Sequence, residues 1–129
     1  MTLNYLGLTA ALTAFLTIWF GHVAVRKIEF ISPTIWIPTI IFIALGIGVE
    51  YLSLATRNTQ HATIFGILGI TLLFDAYEFT RQQKRIRKGH APANPNNPRH
   101  ARILAEPDSR ATTLDLLKRE PRNRIQGNK

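Results

Sequence analysis

Three stretches of this chain hold no Asp, Glu, Lys or Arg: Met1 to Val25, Ile31 to Val49 and Ala62 to Phe74. A hydrocarbon core of about 30 Å takes about 20 residues of helix to cross. The first stretch therefore predicts a membrane span over about residues 3–21. The second predicts a span over about 35–52, with Pro33 and Pro38 placed where a helix start tolerates proline.

The third stretch is short and is followed by Asp75 and Glu78. Its eight large apolar side chains favour insertion by about 4 kcal/mol in total, whereas two acids at mid-membrane oppose it by about 6. Insertion is favoured only with both acids near an interface. A helix starting at His61 puts them about 21 and 26 Å along its axis. A third span over about 61–79 follows, and the fold class expected is all-α, with three transmembrane helices in residues 1–80.

Beyond the spans the pattern becomes polar. Residues 81–89 read as a basic juxtamembrane helix that continues span three and stops at Gly89. Residues 90–107, rich in Pro and Asn, read as an extended linker. Residues 108–129 form a tail with a short helix expected over 109–120, marginal unless it docks.

Charge divides the chain at the same place. Before Arg81 there are three Lys or Arg against four acids, and from Arg81 onward thirteen against four, which together make the net +8. The basic residues flanking the spans, Arg26 and Lys27, then Arg57, then Arg81, Lys84, Arg85, Arg87 and Lys88, put the N-terminus outside and the C-terminus inside. That topology sets Asp75 and Glu78 at the depth of His22, Arg26 and Lys27, a candidate buried ionic cluster. It sets Glu50 beside Arg57 and His61 at the outer face. The cluster Arg81, Lys84, Arg85, Arg87 and Lys88 suits contact with anionic head groups or a partner, at about 1 kcal/mol per residue near the surface. Small residues four apart, such as Gly7 and Ala11, Ala44 and Gly48, and Ala62 and Gly66, suit helix packing within or between chains.

Absences narrow the chemistry. Without cysteine there is no disulfide, thiolate site or iron–sulfur cluster. No positive charge precedes the first apolar run, as a secretory signal would require. His22, His61, His90 and His100 lack ligand spacing, so no metal is assigned, and no cofactor or catalytic residue is expected. Nucleic acid is not an expected partner; the bilayer, other membrane proteins or further copies of the chain are.

Asn4 to Leu8, the block Gly21 to Phe30, Asp75 to Phe79, and Gln83-Lys84-Arg85 leading to Gly89 and Asn94-Pro95 resemble a family of small bacterial multi-pass membrane proteins, domain of unknown function 4491. The likeness covers about residues 3–100. Val23 and His90-Ala91 depart from the family pattern, which looks to have proline and an aromatic pair there. The resemblance implies a bacterial cytoplasmic membrane location and transfers no mechanism.

Two functions fit this reading. One is a non-catalytic accessory or scaffold component of a membrane assembly. The other is a small oligomeric ion or proton channel or transporter that uses the intramembrane carboxylates Glu50, Asp75 and Glu78 with His22.

Overall fold

In a computed structural model that describes residues 3–118, the chain forms α1 (Leu6–Ile31), α2 (Trp36–Ala55), α3 (Thr59–Arg87), α4 (Pro98–Ala105) and a 3₁₀ turn at Leu116–Lys118. The fold is all-helical. The first three helices are long and apolar enough to cross a membrane, and at 1.5 Å per residue they measure about 39, 30 and 44 Å. Their outward faces carry Leu8, Leu12, Phe15, Ile40, Leu45 and Ile47, all exposed. Lipid satisfies such a surface and water does not.

The starts of α2 and α3 have local reasons. Pro38 sits in the first turn of α2, where a missing N–H costs nothing. Asn58 caps α3, its Oδ1 accepting from the His61 amide at 3.1 Å. At the far end of α3 the Gly89 and His90 amides donate to Ile86 O and Arg85 O, and Gly89 adopts φ 77°. This pairing closes the helix and turns the chain back towards it.

The helix α3 is central: α1 and α2 each pack along it and hardly touch one another. Chain direction follows from the contacts. Thr17 meets Thr71, and Gly21 meets Asp75, so α1 runs parallel to α3. Gly46 meets Leu73 and Ser53 meets Gly66, so α2 runs antiparallel. Gly21, Gly46 and Gly69 are the sites of closest approach, where an added Cβ would collide with Asp75, Leu73 and Glu50 respectively. Of the small residues expected at interfaces, Gly66 lies against Ser53, while Gly7 and Gly48 face open space.

The segment expected as an extended linker is folded. Pro98 opens α4 and Asn97 caps it, its Oδ1 accepting from the Arg99 amide at 3.0 Å. Proline breaks a helix only in its interior; at the first position it favours one. Ile86, Ala91, Ala93 and Ile103 form a small core under this tail, with Leu104 and Ala111 against it. Backbone bonds tie the returning chain down, from Ala93 N–H to Thr112 O and from Arg110 N–H to Arg87 O at the end of α3. Of the helix expected over 109–120, the described part contains the turn Leu116–Lys118 alone, and residues 119 and 120 lie outside the described residues.

Candidate functional site at the basic end of the bundle

The polar chemistry gathers where α1 and α3 end, and the returning tail organises it. A helix leaves its last carbonyls without internal partners, and here the tail supplies them. Asn97 Nδ2 donates to Phe30 O (3.1 Å) and Ser32 O (2.9 Å), and Asn94 Nδ2 also donates to Phe30 O (3.1 Å). Arg99 Nη2 donates to Glu29 O at 2.6 Å. A guanidinium at this position also meets the negative end of the helix dipole.

Beneath these bonds lies a buried ionic group. Arg99 Nη1 reaches Glu29 Oε1 at 2.6 Å, and His100 Nε2 lies 3.0 Å from the same oxygen. Glu29 is 1% exposed and His100 fully buried. The Asn94 backbone N–H donates to His100 Nδ1 at 2.9 Å, so Nδ1 is the acceptor and Nε2 carries the proton given to Glu29. Glu29 Oε2 and Arg99 Nε have no hydrogen-bond partner among the described residues. An exposed bond completes the clamp: Arg87 holds Glu106 by two contacts of 2.9 and 3.1 Å.

Of the residues expected to form an ionic cluster, His22 and Asp75 border one cavity, without ion pairs between α1 and α3. Asp75 is buried with its carboxyl over the bare backbone of Gly21, and Glu78 is buried and pairs with Arg81 at 3.3 Å on its own helix. His22, Arg26 and Lys27 are exposed, and no ion pair within 4 Å joins them to either acid among the described residues. Arg81, one turn on, is within easy reach of Glu78, whereas long cations on α1 extend towards solvent. His22, Arg26 and Glu78 do border one cavity of about 180 Å³, and Lys27 borders a larger one of about 560 Å³.

At the opposite end Glu50 is half-buried against Gly69, and it forms no ion pair with Arg57 or His61, both exposed. Glu50 lies on the face of α2 that packs on α3, while Arg57 follows the helix end. Arg81, Lys84, Arg85, Arg87 and Lys88 are all exposed, with Arg87 committed to Glu106.

Sequence reading passed over Glu29, Asn94, Asn97, Arg99 and His100 as a site. The one local signal among them is Asn97-Pro98, a capping residue followed by a proline at the first helical position. What could not be seen was that they meet, since some 70 residues separate Glu29 from Arg99.

The family model for a domain of unknown function, DUF4491, matches residues 4–97. No curated protein and no solved structure matches the chain. The matched region runs from just before α1 to the cap of α4 and includes Glu29, Asn94 and Asn97, and on this match the membrane protein described here belongs to the DUF4491 family.

Proposed function

We propose that this protein is a non-catalytic accessory or scaffold component of a bacterial cytoplasmic membrane assembly, its C-terminal side facing the cytoplasm. The observation that carries the reading is the clamp of Glu29 on Arg99 and His100. It turns what would be a loose basic tail into a platform fixed to the end of α1 and α3. A fixed surface of exposed cations recognises one orientation of a partner or of anionic head groups, which a disordered tail of the same charge does not.

The test is purification of the full chain in mild detergent beside a form truncated after Gly89, with the co-purifying proteins identified for both. The scaffold reading expects partners that depend on the tail. Identical partner sets from the two forms, with both correctly inserted, argue against it.

A second reading, an oligomeric ion or proton path, draws on the polar line along the α1–α3 seam. The Thr17 and Thr71 hydroxyls meet at 3.3 Å, Asp75 lies one turn further on, and His22 and Glu78 border the cavity beyond. The open arrangement of α1 and α2 on either side of α3 encloses no pore in one chain, so such a path requires several copies. Reconstituted vesicles decide this. A conducting protein loses flux on Asp75→Asn or Glu50→Gln while staying assembled, and a protein without flux is no channel.

A further inference from the structure

Two cavities open at the basic end, and they share three residues. The larger, about 560 Å³, lies between the end of α1, the end of α3 and the returning tail; the smaller, about 180 Å³, lies deeper between α1 and α3. Arg26, Gln82 and Arg85 line both. They stand at the junction of the two spaces.

The electrostatics of that junction favour an anion. Arg26 and Arg85 make no ion pair among the described residues, and Lys27 and His90 add further donors in the larger cavity. Of the acids that border the two spaces, Glu29 is held by Arg99 and His100 and Glu78 by Arg81, while Asp115 borders the larger cavity together with Arg26, Lys27, Arg85 and Lys118. Two guanidinium groups that share a cavity and make no ion pair among the described residues form a donor set that phosphate oxygens fit well.

Gln82 stands between the two spaces. The residue is 7% exposed, borders both cavities and makes no side-chain hydrogen bond among the described residues, so its amide is free to bond to what occupies the space it faces. Gln82 follows Phe79 on α3 and precedes Ile86, both fully buried, so packing on either side holds it in place.

The remaining wall identifies the source of the phosphate. Phe30 and Ile31, in the last turn of α1, line the larger cavity and are exposed beyond it. Trp36, which starts α2 directly after the loop, and Tyr77 on α3 are exposed aromatic residues of the kind that sit at a membrane interface. A cavity at the end of the spans lined by both cations and apolar side chains fits a head group with its acyl chains leaving along the helices.

We infer that the junction of Arg26, Gln82 and Arg85 binds the phosphate of an anionic phospholipid, with the folded tail forming one wall of the site. The inference stands apart from the scaffold reading, because one chain alone would hold the lipid as well as an assembly would.

The experiment uses the full chain in nanodiscs of phosphatidylcholine alone or of phosphatidylcholine with phosphatidylglycerol, and in detergent with phosphatidylglycerol titrated in and bound lipid counted by native mass spectrometry. The expected result is one retained phosphatidylglycerol, bound roughly ten- to a hundredfold more weakly after Arg85→Gln or Arg26→Gln. Gln82→Leu leaves the net charge unchanged and is expected to weaken binding by roughly tenfold. Lys84→Gln and Lys88→Gln remove the same charge outside the cavities and are expected to leave the bound lipid in place. Tryptic cleavage in the tail, at the wild-type rate, serves as the check that each variant is folded. Equal losses for Arg85→Gln and Lys84→Gln would show a diffuse basic surface and overturn the site. Displacement of the lipid by soluble glycerol phosphate at comparable concentration would overturn the lipid assignment, and unchanged binding by folded Gln82→Leu would remove that residue's role and with it the proposed junction.

Discussion

Arg99 closes on Glu29 across 70 residues of sequence, with its guanidinium 2.6 Å from both the Glu29 carboxylate and the Glu29 carbonyl oxygen. One side chain thus neutralises a buried acid and finishes the end of α1. The pair ties a polar tail to the membrane domain, and His90, Ala91, Pro92, Asp115 and Lys118 of that tail line the cavity at the basic end.

Removing the acid should free the tail. Glu29→Gln leaves the largely buried Arg99 without its counter-charge, and breaking one partner of a buried pair costs about 3–5 kcal/mol. Trypsin should then cut after Arg102 and Arg110 much faster than in the wild type, with the spans still inserted. Arg99→Lys should fall between the two, since an ammonium keeps the charge and loses the fork that reaches two oxygens at once. Unaltered cleavage in Glu29→Gln would mean that other contacts hold the tail.

Asn97 serves two helices, capping the start of α4 and the end of α1. Asparagine and aspartate are equally good at starting helices, and replacing either by alanine costs about 1 kcal/mol. Here Asn97→Asp should be more damaging than Asn97→Ala, because it keeps the acceptor for Arg99 N–H but sets a carboxylate against Phe30 O and Ser32 O. Tail melting followed by hydrogen exchange gives the order; aspartate ranking above alanine would contradict the double role.

The Gly21 and Asp75 contact should show as energetic coupling. Gly21→Ala drives a methyl into the Asp75 carboxyl, and overpacking of this kind costs about 1–3 kcal/mol. In Gly21→Ala/Asp75→Ala the collision is gone, so the double variant should be more stable than the sum of the single effects implies, by about 0.5–3 kcal/mol. Thermal unfolding of the four proteins in one detergent measures the cycle, and strict additivity would separate the two residues.

Two glycines differ in what they tolerate. Gly89 has φ 77° and an added Cβ would stand 2.5 Å from Arg110 O, while nothing lies within 4 Å of a Cβ on Gly48. Gly89→Ala should cost about 1–2 kcal/mol from the left-handed conformation alone, with more from the contact, and should loosen the tail. Gly48→Ala should be neutral or slightly stabilising, by up to about 1 kcal/mol through helix propensity. Melting temperatures in detergent that move equally for both would refute the assignment of the turn.

The three spans, the basic extension of the third and its stop at Gly89 were readable from the chain, because each depends on local composition. An apolar run of sufficient length inserts whatever its neighbours do, and a glycine after a helix's last basic turn ends it through its own backbone. Asn97-Pro98 was legible in the same way, as a cap followed by a first-position proline, yet the density of Pro and Asn around it read as a linker. Composition over a window outweighed position within it. Asp75 and Glu78 make no ion pair within 4 Å with the cations of α1 among the described residues, although His22 and Asp75 border one cavity: depth along a helix does not by itself fix which face a side chain takes.

Sequence by itself determined that this chain enters a membrane three times and which of its ends carries the charge, because transfer from water to lipid is a sum over neighbouring residues. Tertiary structure alone decided that Asp75 lies over Gly21, that Glu29 is answered by Arg99 and His100, and that residues 98–105 of the tail form a helix. These relationships depend on helix rotation and on contacts between residues far apart in the chain, and a short-range pattern carries no information about either.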